Sequence, residues 1–166
     1  MNNVSQIIKV GLAEIKLARP PQILRTSGLG SCVGVVVYDE KTNVAAMAHV
    51  MLPDSNLARD KHLRAGKYAD TAVQALKEML NEHRANSFSK LKAKIAGGSQ
   101  MFQFQTDNEM MRIGKRNVEA VKEHLHQLGI ELVAEDVGGN VGRTIEFDPE
   151  TFILTVRKVN DGMIEI

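Results

Sequence analysis

The spacing of apolar and polar positions changes several times along the chain, and each change marks an element. Gln6–Leu17 mixes Ile7, Ile8, Val10, Leu12, Ile15 and Leu17 with polar neighbours, and the alternation from Ile8 to Leu12 predicts a first strand. Arg19-Pro20-Pro21 breaks any regular element. Ile23 and Leu24 then lead into a glycine-rich loop, Thr26–Cys32. Two apolar runs, Val33–Tyr38 and Val44–Leu52, flank the polar segment Asp39–Asn43, which is the pattern of a hairpin. Pro53 closes it, and Asp54–Leu63 is polar and loop-like. Ala69, Ala72, Val73, Leu76 and Leu80 recur at three- and four-residue spacing, predicting an amphipathic helix over about Lys67–Arg84. After the polar loop Ala85–Lys90, a short strand is expected at Leu91–Ala96, ending on Gly97-Gly98.

Ser99–Thr106 shows no clear helical period. Val118, Val121, Leu125 and Leu128 predict a second helix over about Arg116–Leu128, with Gly129 as its stop. Ile130–Glu135 alternates as a strand, Gly138-Gly139-Asn140 makes a turn, and Arg143–Phe147 pairs with Phe152–Val159 across Asp148–Thr151. Hairpins dominate, without internal repeat or linker. The expectation is therefore α+β: a single domain over residues 1–166, with largely antiparallel sheets packed against two main helices.

Composition narrows the function classes. The chain has 166 residues, enough for one domain burying about two-thirds of its unfolded surface. The net charge of +1 gives no field favouring nucleic acid or a membrane, and 4% aromatics without Trp argue against base-stacking platforms. A single cysteine rules out an internal disulfide framework and any multi-cysteine zinc site. The first residues lack the basic start and sustained apolar core of a secretory signal, and no apolar run approaches a bilayer span. The expected location is the cytoplasm, with no metal and no cofactor.

That cysteine is the first candidate for chemistry. Cys32 opens the first run of the hairpin and His49 lies in the second, so antiparallel pairing would bring both to the end far from the turn. A histidine near a thiol can take its proton and steady the anion. Gly28, Gly30 and Gly34 surround Cys32, and glycines allow backbone N–H groups to face an oxyanion; Ser31 adds a further donor. Thr26, across the glycine turn, has a hydroxyl and a carbonyl, either of which could accept from the imidazole and fix its tautomer. Each residue also has a plainer reading: a small buried cysteine, a core histidine, a turn-capping threonine. The glycines do not suit a phosphate loop, because a β-branched run follows where a helix is required and no G-K-[ST] occurs. Arg143 could clamp an anion, although a solvated arginine is the simpler reading. His62, His83, His124 and His126 sit in polar or helix-surface settings, which gives a metal site little support.

Six stretches in order resemble the CheD family of chemoreceptor glutamine deamidases: T-S-G-L-G-S-C at 26–32, A-H-V-M-L-P at 48–53, K-Y-A-D-T-A at 67–72, A-G-G-S-Q-M-F at 96–102, I-G-K-R-N at 113–117 and D-V-G-G-N at 136–140. The resemblance implies a protein-glutamine glutaminase that hydrolyses the side-chain amide of particular glutamines on methyl-accepting chemotaxis receptors, releasing ammonia. It implies Cys32 as nucleophile, His49 as general base and then acid, and Thr26 as the group orienting the histidine. It also implies a fold similar to a bacterial toxin-type cysteine deamidase, and a CheC-type CheY phosphatase as a restraining partner. The chain departs from the family pattern at Val137, where threonine is usual, and at Phe152, where the last hairpin turn has glycine. A non-catalytic receptor- or CheC-binding adaptor is the alternative from another class. A cysteine peptidase or receptor methylesterase would share the nucleophile.

Overall fold

The computed structural model describes residues 5–59, 63–101 and 112–166. The element order is β1 (Ile7–Lys9), β2 (Ile15–Ala18), β3 (Ile23–Leu29), β4 (Val33–Asp39), β5 (Val44–Val50), α1 (Ala69–His83), β6 (Lys92–Gly97), α2 (Ile113–Gln127), β7 (Glu131–Val137), β8 (Arg143–Asp148), β9 (Ile153–Lys158) and β10 (Met163–Glu165), with single 3₁₀ turns at Ser55–Leu57 and Ala65–Lys67. The strands form two five-stranded sheets, ordered β1-β3-β8-β9-β10 and β2-β5-β4-β6-β7. Pairing is antiparallel except for β1 with β3 and β6 with β7. The α+β expectation holds, with these two parallel pairs added to it.

The hairpin β4–β5 lies at the centre because every one of its residues is buried. Its two faces serve different cores. Val33, Val35 and Val37 pack with Leu76 and Leu80 of α1 and with Val121 and Leu125 of α2. Val36, Tyr38, Ala45 and Met47 face the other way, onto Leu24, Ile145, Phe147, Leu154 and Val156 of the first sheet. The layers therefore run helices, second sheet, first sheet, and a strand covered on both sides reads as a continuous apolar run.

Three expectations need correction. The single first strand is in fact two, in different sheets. Between them the Gly11 N–H donates to the Glu14 carboxylate at 3.2 Å and Ala13 adopts φ 63°, turning the chain from one sheet to the other. Thr26 is not a turn residue: β3 runs through it to Leu29, with a register irregularity between Thr26 and Leu29 against β8. Arg143 is neither solvated nor open to an anion. It is buried, with Nε on the Asp136 carboxylate at 3.0 Å and an N–H donated to Ser99 Oγ at 2.7 Å. Strand β10 lay outside the predicted elements. His62 and residues 102–106 of the Ser99–Thr106 stretch lie outside the described residues.

Candidate active site

The site is assembled across the two sheets, at one end of their shared core. In the β4–β5 ladder Gly34 stands opposite His49, and Val33 opposite Val50. Cys32 precedes β4 by one residue, so it is the diagonal neighbour of His49 on the same face of the sheet, within reach of a long side chain. Both project toward the first sheet, where the half-buried Cys32 packs against the core formed by Leu24, Ile145 and their neighbours.

From that first sheet Thr26 reaches across. It is 2% exposed, His49 is 1% exposed, and Thr26 Oγ1 lies 2.7 Å from His49 Nδ1. The hydroxyl has one proton, which it donates to the Val10 carbonyl at 2.6 Å. Toward the imidazole it can therefore only accept, so Nδ1 carries the hydrogen and Nε2 of the neutral ring is a bare acceptor. Nε2 is buried and has no hydrogen-bond partner among the described residues. The sequence left the threonine's hydroxyl and carbonyl open; the structure places the hydroxyl on the ring. His49 is held through its backbone as well. Its N–H donates to the Glu14 carbonyl at 3.2 Å and its carbonyl accepts from the Ala13 N–H at 3.1 Å.

Burial sets the resting charge. Desolvation pushes the Cys32 thiol up from its ordinary pKa and pulls the His49 imidazole down from its own. Both shifts favour the neutral forms, so the pair rests as thiol and imidazole.

The loop carrying Cys32 is held by its carbonyls. Gly30 C=O accepts from the Ser99 N–H at 2.8 Å and Cys32 C=O accepts from the Gly98 N–H at 2.9 Å. Ser31 C=O accepts from the Asn117 side-chain amide at 2.9 Å. On the donor side, the Gly30 N–H is spent on the Gly28 carbonyl at 3.1 Å, whereas among the described residues the N–H groups of Ser31 and Cys32 have no partner. Of the predicted binding residues, Ser31 thus has a backbone donor without a partner among the described residues and Gly30 does not. Gly28 supplies the bend, at φ 71°.

Two contributors escaped the sequence reading. The Val10 carbonyl fixes the threonine proton, and no side-chain motif marks a backbone acceptor. Gly34 does have a signal, a glycine inside a valine-rich strand, which marks close approach. A Cβ there would stand 2.5 Å from Ile145 Cδ1 and 3.2 Å from Leu29 Cδ1, so the glycine leaves room for side chains of the first sheet over β4 at the position opposite His49. His83 and His126 are exposed and His124 is half-buried, all three on the helices and apart from this cluster.

A thiol, a tautomer-fixed imidazole and two N–H donors without a partner among the described residues give an α+β protein with the parts of a thiol acyl-transfer centre. Comparison with known proteins gives the family. A family model described as CheD chemotactic sensory transduction matches residues 51–158. The chain is 54% identical over 163 residues to the chemoreceptor glutamine deamidase CheD of Halalkalibacterium halodurans, covering 98% of this chain and 100% of that protein. It is 53% identical over 156 residues to the chemoreceptor glutamine deamidase CheD of Bacillus subtilis, covering 94% of this chain and 93% of the other. A probable chemoreceptor glutamine deamidase CheD of Geobacillus kaustophilus is 52% identical over 165 residues, covering 99% of each. The chain belongs to the CheD family.

Proposed function

We propose that this chain, as one domain over residues 1–166, is a chemoreceptor glutamine deamidase. In this reading it converts specific glutamine side chains of methyl-accepting receptors to glutamate and ammonia. The observation that carries it is the Val10–Thr26–His49 relay, which leaves His49 Nε2 bare on the face of the sheet that also carries Cys32. A histidine serving only the core would bury both nitrogens in hydrogen bonds.

In the reaction, His49 Nε2 takes the proton of Cys32 as Sγ attacks the glutamine Cδ. The carbonyl oxygen becomes an oxyanion facing the N–H groups of Ser31 and Cys32. The imidazolium returns its proton to the departing nitrogen, the C–N bond breaks, and ammonia leaves a thioester. Water, deprotonated by the same Nε2, then adds to the thioester carbon. The C–S bond breaks, giving glutamate and the free thiol. Because burial disfavours both charged forms, the thiolate arises with substrate in place instead of standing as a preformed ion pair.

The likeness to named deamidases supports a receptor as substrate. The sequence resemblance alone supports a CheC-type phosphatase as partner and the cytoplasm as location; among the described residues no helix is long and apolar enough to cross a membrane. The test is ammonia release from a purified receptor cytoplasmic fragment, with intact-mass analysis of the fragment. Cys32→Ala and His49→Ala are expected to abolish release, and the wild type to add the mass of NH₂ becoming OH without chain cleavage. Full turnover in either variant overturns the assignment, cleavage points to a peptidase, and loss of a methyl ester points to an esterase. An adaptor would leave chemotactic behaviour intact in Cys32→Ala cells.

A further inference from the structure

We propose that Asn117, on α2, is a positioning residue of this site: its side-chain amide ties the loop that carries Cys32 to the end of the strand that carries His49. The proposal rests on the deamidase reading for its kinetic consequence, but its geometry stands independently.

The ladder between β4 and β5 ends at Val33 opposite Val50. One residue further on, the Met51 N–H has already turned away to the Lys67 carbonyl at 2.8 Å. The two strands therefore part at the position where the nucleophile and the histidine must stay in register. The carbonyls of Ser31 and Met51 are left facing the gap without ladder partners. Asn117 Nδ2 fills it, donating to Ser31 C=O at 2.9 Å and to Met51 C=O at 3.0 Å. Ser31 adjoins Cys32, and Met51 is two residues beyond His49, so one nitrogen spans both halves of the candidate pair.

The residue type fits this task better than it fits a helix interior. Asn117 is 0% exposed, on a helix whose other buried side chains are mostly aliphatic. Asparagine is a poor helix former, because its side chain competes for the backbone. A primary amide, however, offers two hydrogens on one neutral nitrogen, which a hydroxyl cannot match. Asn117 Oδ1 is buried with no hydrogen-bond partner among the described residues. An orphaned buried acceptor is a cost that helix packing alone would not call for. The clamp also opposes the pull on the other side of the loop, where the Gly98 and Ser99 N–H groups hold Cys32 C=O and Gly30 C=O. Cys32 is thus suspended between β6 and α2.

Cys32 is the only cysteine, so alkylation reports on it alone. The rate of iodoacetamide alkylation is measured against pH for the wild type, His49→Ala, Asn117→Ala, Asn117→Asp, the double variant Asn117→Ala/His49→Ala, and Val121→Ala. Ammonia release from the receptor fragment and thermal unfolding are followed alongside. The wild type should show an alkylation limb that rises as the His49 imidazole loses its proton, because Nε2 takes the thiol proton while Sγ attacks the reagent. His49→Ala should lose that limb and leave only the high-pH limb of the unassisted thiolate. Both Asn117 variants should lose the same limb, and the double variant should lose nothing further. In Asn117→Asp, kcat should fall about 10- to 100-fold with little change in KM, as expected when reacting groups are misplaced by about an ångström. Val121→Ala, which thins the same helix's core contact, should unfold at lower temperature while keeping the limb and kcat. Folded Asn117 variants with a wild-type profile overturn the proposal, as does Val121→Ala losing the limb too. Failure of both Asn117 variants to fold assigns the residue to the fold instead and also overturns it. If His49→Ala itself leaves the profile unchanged, the thiol–imidazole reading falls, a result distinct from failure at Asn117 alone.

Discussion

Thr26 can orient His49 only because its own proton is already committed to the Val10 carbonyl. A β-branched residue without the hydroxyl keeps the shape and loses this control. Thr26→Val is therefore expected to lower kcat for ammonia release, while Thr26→Ser retains most of it; equal rates in the two variants would remove the hydroxyl from the mechanism. The charge state of His49 gives a pH prediction. It must be neutral to accept the thiol proton, and burial holds its pKa below the ordinary 6.5, so the acid limb of kcat/KM should have its midpoint below 6.5. The same shift has a sign for stability. The unfolded chain binds the proton more readily than the folded one, so stability falls as pH drops from about 6.5 toward the folded-state value. Paired pH profiles of kcat/KM and of thermal unfolding check both. Phe152 sits at a backbone that favours glycine, φ 62°, and offsets the strain by stacking on Tyr38 with centroids 5.3 Å apart. Phe152→Ala keeps the strain and loses the ring, so it should be less stable than Phe152→Gly by about 1 kcal/mol in denaturant titration.

Among the elements, those buried on one stripe or on both faces were legible in the sequence. The β4–β5 hairpin declared itself through two apolar runs, and α1 and α2 through apolar residues every third or fourth position. What escaped was set by partners distant in the chain. Thr26-Ser27-Gly28 has turn composition, yet lies within β3 because β8 pairs with the strand at Thr26 and again at Leu29, across a register irregularity. The break between β1 and β2 depends on Ala13 and Glu14 bonding to the backbone of His49, a contact no local pattern reveals. Gly97, expected only as the stop after a strand, is the last residue of β6 at φ 117°, where a Cβ would collide with the Cys32 carbonyl. For the site, residue types and spacing put Cys32, His49 and Thr26 forward only beside plainer readings, and the family resemblance supplied their roles. The proton inventory that distinguishes hydroxyl from carbonyl needed three dimensions.

At the scale of the molecule, the two sheets divide the labour. The second sheet holds Cys32 and His49, and the first contributes Thr26, so the imidazole is oriented by a group from the opposite layer. Further along the same interface Arg143 of β8, on the first sheet, reaches Asp136 of β7 and the Gly97 carbonyl of β6 on the second, a buried cross-link beside the cysteine loop. Because Gly34 lets Ile145 and Leu29 of the first sheet come so near to β4, the gap between layers has almost no slack where His49 sits. The enzyme's proton donor and acceptor are in effect calibrated by how tightly two slabs of hydrophobic side chains are pressed together. Anything that lets those slabs drift, whether warmth, a trimmed aliphatic deep in the far sheet or a partner prising at an outer strand, would free the ring to turn and silence turnover well before the polypeptide lost its shape.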